Sequence, residues 1–370
     1  MKKQTKINLL LLTVTLVFVG IMSACEGPQG PAGADGKDGK DGKDGQPGTA
    51  SCKMCHDASV AMDSKKIQWA NSLHATGSNF ERNMTNCAPC HTQQGFREVV
   101  ETGNPETSET IKDPVGITCK TCHFIHKNYD STDFAIVKTD AIKLYHTKDG
   151  SSGEVDMKRS NLCGQCHQSR AVNPFPQLGG GDISITSPYW GPHHSPVANV
   201  LAGNGAYEIK GEQTYFNSPH TNITSCVTCH MGETYGAKSG GHSMNMKYEY
   251  HGGIEANISS CTDCHAKNAF PVVNGHTTFD YHGVQTKILE DLHIIRKELA
   301  KRGWLDTTQS QGQIWNDRPI ASSNNPLVLA ADDAGCLYNY LLIATDRSWG
   351  VHNSYYSKAV LANVKQHLGL

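Results

Sequence analysis

The chain has 370 residues, with 33 Lys or Arg against 35 Asp or Glu and a formal net charge of −2. That balance excludes nucleic acid as a partner held by surplus positive charge. Only 38% of residues are hydrophobic and 7% aromatic, too few for a large conventional core, yet there are 14 cysteines and 19 histidines.

The chain opens with Met1-Lys2-Lys3-Gln4-Thr5-Lys6 and an apolar run from Ile7 to Met22, the charged and hydrophobic regions of an export signal. The run ends in Met22-Ser23-Ala24-Cys25, small residues before a cysteine, the pattern of a bacterial lipoprotein signal. Residues 1–24 are expected to be removed and Cys25 to be lipidated; the alternative is an ordinary signal peptide with Cys25 in a disulfide. Two or three acyl chains, at about 0.8 kcal/mol per buried CH₂, would anchor the chain to a lipid membrane through Cys25. Glu26 gives no inner-membrane retention signal, so the expected location is the outer membrane or cell surface of a bacterium. No other apolar run has the length of a spanning helix.

Glycine then recurs every third residue from Gly27 to Gly48, with three Lys-Asp-Gly repeats among the triplets. Residues 25–49 therefore read as a lipidated cysteine and a collagen-like tether. With so few triplets and prolines, a solvated monomeric tether is favoured over a triple helix. Extended at about 3.1 Å per residue it would span roughly 70 Å.

From residue 50 a Cys-x-x-Cys-His motif occurs six times: Cys52/Cys55/His56, Cys87/Cys90/His91, Cys119/Cys122/His123, Cys163/Cys166/His167, Cys226/Cys229/His230 and Cys261/Cys264/His265. Each reads as a covalent attachment site for a c-type haem, six in all. Two thiols three positions apart add to the porphyrin vinyl groups, and the following His supplies the proximal nitrogen to iron. Zinc and disulfides are the alternatives, since Cys-x-x-Cys is also a zinc spacing and the chain looks exported. The invariable trailing His argues against both. Six porphyrins would also supply the apolar surface that the composition lacks. Loss of Lys2, Lys3 and Lys6 and the haem propionates would leave the mature protein acidic.

Between the motifs the spacers leave room for short helices and loops. Ser64 to Ala75 reads as a helix with Ile67, Trp69 and Leu73 beside His74, and Gly95 to Glu101 as a second. Residues 171–215 and 231–256 are Gly- or Pro-rich loops. Short β alternation is confined to Phe134–Val137 and Tyr207–Ile209. Beyond the core at 50–282, residues 283–370 form a C-terminal helical group. Val284 to Arg302 has apolar residues at 284, 288, 289, 292, 295 and 299, the period of an amphipathic helix. Ala330–Thr345 and Ser354–Leu368 follow, expected to pack antiparallel over the core and to offer a candidate dimer face. Cys336 lies in an apolar helical pattern and reads as a small buried residue rather than a reactive thiol. The fold class is thus mainly α with extensive coil.

A haem iron with two protein ligands passes electrons, and one with an open position can bind a substrate. The histidines outside the motifs outnumber the six irons. Trp69-x-x-Ser72-x-His74-Ala75, Pro192-His193-His194-Ser195-Pro196, Ser218-Pro219-His220 ahead of Cys226-Val227-Thr228-Cys229-His230-Met231, Gly240-Gly241-His242 and Asp346-Arg347-Ser348-x-Gly350-Val351-His352-Asn353 resemble multihaem c-type cytochromes. The similar group includes the pentahaem ammonia-forming nitrite reductase and the octahaem hydroxylamine oxidoreductase. The resemblance spans roughly 52–370 and implies a fold wrapped around stacked haems. It implies His74, His126, His194, His220, His242 and His352 as distal ligands, with His193 the alternative to His194 and His146, His251, His276 and His282 in reserve.

Two departures bear on activity. Those nitrite reductases replace the motif His of the catalytic haem by Lys, and all six motifs here keep His. They also carry a Tyr shortly after one motif, and Cys163-Gly164-Gln165-Cys166-His167-Gln168-Ser169-Arg170 has none. The expected function is electron transfer through bis-His haems in respiratory or extracellular electron transfer, with redox proteins or an extracellular acceptor as partners. The alternative is a reductase of nitrite, hydroxylamine or a sulfur oxyanion at one open haem, and a third reading is a unit of a cytochrome filament.

Overall fold

The computed structural model describes His56, residues 60–77 and residues 79–370. The expected export signal at residues 1–24, Cys25, the stretch expected to act as a tether, Cys52 and Cys55 lie outside the described residues. Everything described belongs to one unit, Gly48–Leu370. It is a mixture of helix and coil with small sheets. The longer helices are α1 (Val60–Ala70), α2 (Gln93–Thr102), α3 (Val284–Lys301), α4 (Ala331–Asp346) and α5 (Ser354–Leu368). No helix among the described residues is long and apolar enough to cross a membrane.

The main apolar core lies under the C-terminal helices. On α3, Ile288, Leu292, Ile295 and Leu299 fall on one face and are fully buried, as their spacing requires. Helix α4 is buried along nearly its whole length, from Ala334 to Asp346. Helix α5 adds Tyr356, Val360, Leu361, Val364 and Leu368. The three helices contact one another and also cover Ile185, Trp190, Val200, Tyr207 and Ile209 from the segment between the fourth and fifth motifs. Cys336 sits in this core with no exposed surface, and burial raises its thiol well above the ordinary range.

A buried polar knot ties the excursion between α3 and α4 to both helices. Arg296 donates from Nε to Asp317 Oδ2 at 2.7 Å and from Nη2 to Asp317 Oδ1 at 2.9 Å, while the Tyr340 hydroxyl donates to Asp317 Oδ2 at 2.6 Å. The two-pronged ion pair and the phenol together satisfy a carboxylate whose side chain has no exposed surface.

Several local expectations change. The helix expected over Ser64–Ala75 is two pieces: α1 ends at Ala70, and Ser72 caps a new turn, Leu73–Thr76, by accepting from Ala75 N–H. A serine hydroxyl competes for backbone donors, which favours a cap over a helix interior. Phe134–Val137 is no strand; Ser131–Phe134 is a 3₁₀ turn followed by a single bridge between His123 and Ile136. Tyr207–Ile209 is no strand either, because the Asn339 amide takes the place of a neighbouring strand. Tyr207 N–H donates to Asn339 Oδ1 and Asn339 Nδ2 donates to Tyr207 O, both at 2.8 Å. The sheets that do form were not foreseen. They are two-stranded and antiparallel, such as Ile142–Leu144 with Gly153–Val155, and Ile183–Ile185 with Leu327–Leu329. Strands of two to four residues are too short to leave an alternation in sequence.

Gly335 lies inside α4, where glycine ordinarily costs about 1 kcal/mol relative to alanine. Here a Cβ would meet Tyr207 Cδ1 at 2.1 Å, so the missing side chain lets the Tyr207 ring lie on the helix. Gly335→Ala is expected to lose about 1–3 kcal/mol by overpacking, read as a lowered guanidinium midpoint of the intact protein. A raised midpoint would show that the ring has room to move.

Candidate haem centre

Each described motif forms one helical turn. Ala88–His91, Cys119–Cys122, Asn161–Gly164 and Cys226–His230 are short helices. The motif His N–H returns to the carbonyl of the first Cys at 3.2 Å for His91, 2.9 Å for His123, 3.0 Å for His167 and 2.8 Å for His265. That turn brings residues three apart onto one face, so both sulfurs point the same way and the ring follows from the next position. Thr118 with Thr121, and Ser225 with Thr228, form capping boxes that start two of these turns.

Every motif imidazole faces a second imidazole. Ring centroids are 6.0 Å apart for His56 and His126, 6.2 Å for His91 and His193, and 6.3 Å for His123 and His242. They are 6.0 Å apart for His167 and His74, 6.5 Å for His230 and His352, and 5.9 Å for His265 and His220. Two metal–nitrogen bonds of about 2 Å, each followed by roughly 1.1 Å from nitrogen to ring centre, add to about 6.2 Å. The pairs thus have the spacing of two imidazoles bridged by one metal ion.

The outer ring nitrogens support this geometry. His123 Nδ1 donates to Phe134 O at 2.7 Å, His220 Nδ1 to Val351 O at 2.9 Å and His230 Nδ1 to Met244 O at 2.9 Å. A carbonyl only accepts, so these contacts place the proton on Nδ1 and leave Nε2 with its lone pair for a metal. His352 differs, with Nδ1 2.7 Å from the Asp346 carboxylate.

Burial lowers His74, His91, His230, His242 and His265, and pushes His167 and His193 down to about 4. Neutral imidazole is the form that binds a metal. At His352 burial also acts downward, but the Asp346 carboxylate outweighs it and the net shift is up.

The facing rings come from loops with specific supports. His126 has a left-handed backbone with φ 66°. The Asp133 carboxylate holds it there, accepting from the N–H groups of His126, Asn128 and Tyr129 at 2.8, 2.8 and 3.1 Å. His242 N–H donates to Gln68 Oε1 at 3.0 Å, which fastens the Gly240-Gly241-His242 turn to α1. Asn353 joins the loops of His220 and His352: Oδ1 accepts from Ser218 N–H at 2.9 Å, and Nδ2 donates to Val200 O at 3.2 Å and Asn217 Oδ1 at 2.8 Å. None of these supports stands out in the sequence, because the partners are far apart along the chain.

All twelve rings line one continuous cleft of about 3380 Å³. A pocket for one drug-sized ligand is about 300–1,000 Å³, so the space suits several large cofactors. The twelve rings, their spacing and this volume fit haem. Around it the Cys90 and Cys166 sulfurs are neighbours, as are those of Cys163 and Cys226.

Of the histidines singled out from sequence, His74, His126, His220, His242 and His352 stand opposite motif rings. His194 does not: the ring facing His91 is that of His193. The chain turns through left-handed φ values at His193 (72°) and Ser195 (59°), and Ser195 N–H is held by Thr345 O at 3.2 Å. That turn sets the two rings edge to face, 5.2 Å apart, so that only the His193 ring faces His91 and His194 lies among Arg170, Arg318 and Arg347. The reserve residues His146, His251, His276 and His282 face no motif ring among the described residues. His146 is instead packed in the aromatic core, 4.1 Å from Phe175 and 5.4 Å from Tyr338. Among the described residues no three His, Cys, Asp or Glu side chains form a metal cluster of the zinc type, and the described cysteines form no disulfide.

No protein-family model matches the chain, and no curated protein matches it either. Two solved structures are similar. The outer cell wall cytochrome OcwA has 20% sequence identity and a TM-score of 0.45 over 82% of this chain and 50% of that one. The undecahaem cytochrome from the S-layer of Carboxydothermus ferrireducens has 19% identity and a TM-score of 0.43 over 81% of this chain and 40% of that one. The chain spans half or less of the length of either.

Asn353→Ala removes the amide that joins two ring-bearing loops and leaves Ser218 N–H without its partner. Each orphaned buried group costs about 1–3 kcal/mol. The expected result is a loss of at least that much stability, read as a lowered denaturation midpoint, whereas an unchanged midpoint would show that the loops are held by other contacts.

Proposed function

We propose that the chain is a hexahaem c-type cytochrome that carries electrons, with every iron held between two imidazoles. The observation that carries this reading is the set of six facing ring pairs, each at the spacing of a bridged metal. Cys52, Cys55, Cys87, Cys90, Cys119, Cys122, Cys163, Cys166, Cys226, Cys229, Cys261 and Cys264 are the attachment thiols. The ligand pairs are His56 with His126, His91 with His193, His123 with His242, His167 with His74, His230 with His352 and His265 with His220.

The haems, when bound, supply one-electron carriers. The protein contributes their order and their ligands. Filling both axial positions of each iron leaves no site for a substrate, which favours electron transfer over reduction of nitrite, hydroxylamine or a sulfur oxyanion. The neighbouring sulfurs of Cys90 and Cys166, and of Cys163 and Cys226, bring the second, fourth and fifth attachment points together, so porphyrin edges there would touch. Arg170, Arg318 and Arg347 line the cleft, and their positive charge suits the haem propionates. With Cys25 lipidated and the Gly-X-Y stretch as spacer, the wire would stand off a membrane surface and meet redox proteins or an extracellular acceptor.

Electron paramagnetic resonance of the oxidised protein tests this directly. Six low-spin ferric haems with no response to cyanide are expected; a high-spin signal in the unaltered protein would point to an open haem and a reductase. His193→Ala is expected to convert one haem to a high-spin, cyanide-binding form. His194→Ala is expected to keep all six low-spin, and the reverse pattern would restore His194 as the ligand.

A further inference from the structure

His352 stands apart from the other facing rings in what its outer nitrogen meets. His123, His220 and His230 give Nδ1–H to main-chain carbonyls, whereas His352 Nδ1 lies 2.7 Å from Asp346 Oδ1. The Asp346 side chain is 1% exposed. Its second oxygen, Oδ2, accepts from the Ser348 hydroxyl and from Ser348 N–H at 3.3 Å, both neutral donors. No Lys or Arg forms an ion pair with Asp346 among the described residues, so the imidazole is the one ionisable group paired with this carboxylate there. The contact is built into the chain: Asp346 is the last residue of α4, and the left-handed turns at Arg347 (φ 60°) and Trp349 (φ 49°) fold His352 back onto it. His352 N–H also donates to the Ser348 hydroxyl at 3.2 Å, which fixes the return.

We infer that Asp346 is a positioning and tuning residue that makes the His230/His352 centre the most reducing of the six. The inference rests on the haem reading above. A buried carboxylate accepting the Nδ1 proton makes the imidazole a stronger donor to iron. Uncompensated negative charge in a low-dielectric site also favours the iron state with the greater positive charge. Both effects stabilise ferric over ferrous iron. Reduction there adds one electron to the iron from a neighbouring haem or an external reductant, and forms or breaks no bond. The proton stays between His352 and Asp346.

The test is a potentiometric titration, followed by visible absorption, of the full haem-loaded protein and two variants. Asp346→Asn keeps the shape and an acceptor oxygen but removes the charge. One of the six one-electron components, the lowest, is expected to move to higher potential while the other five hold, and Asp346→Glu is expected to stay near the original value. A uniform drift of all six, or no movement in a protein carrying six haems, overturns the inference and leaves the haem reading intact. Unaltered protein without covalent haem overturns both. Should Asp346→Asn fail to accumulate, Ser348→Ala removes a hydrogen bond that draws density away from the carboxylate. It is expected to move the same component lower, and an upward shift or none overturns the inference.

Discussion

The constraint on which this structure depends is the pairing of imidazoles across a shared space. Each motif imidazole has its own facing imidazole at 5.9–6.5 Å. Ring packing alone also reaches that range, as for Tyr235 and Tyr250 at 6.0 Å, but it does not require that every motif be given an imidazole partner. A haem iron between the rings would account for both the partner and the common spacing. It also accounts for the composition: a chain with so few apolar side chains leaves a cleft of about 3380 Å³ through its centre, and large flat apolar cofactors would fill it.

The protein part of the structure then reads as a frame for those pairs. The C-terminal helices supply the one extensive side-chain core. They also reach into the cleft, because the turn between α4 and α5 carries Asp346, His352 and Asn353. Asn353 grips the His220 loop, and Gln68 of α1 grips the His242 turn. The facing ring of a given motif usually lies far from it in sequence: His74 faces His167, and His352 faces His230. Each such pair is a long-range crosslink that the cofactor would complete. Secondary structure stays short between the motifs, where loop backbone is held by side-chain caps such as Asp133 and Ser72 and would be fixed further by ligation.

The motifs themselves were fully legible, because two thiols and an imidazole at fixed spacing are a local chemical requirement. The three C-terminal helices were legible within a residue or so at each end, because their apolar periodicity persists for several turns, whereas α1 was misplaced by four or five residues at both ends. The facing histidines were legible only by resemblance, and the choice between His193 and His194 was not. Adjacent residues share every sequence context, and only the left-handed turns at 193 and 195 decide which of the two touching rings faces His91. Tyr207–Ile209 misled for a related reason. Its alternation was real, but the partner that satisfies its backbone is the Asn339 side chain on a helix. The supports at Asp133, Gln68, Asp346 and Asn353 left no local pattern, since each acts on a loop whose position is set by the tertiary fold.

The central claim is that the six motifs carry covalent haem. Intact-mass spectrometry of the denatured mature protein tests it most directly. The account predicts a polypeptide mass increased by six haem increments that survive denaturation. A mass matching the bare polypeptide, or one carrying only dissociable metal, would contradict it.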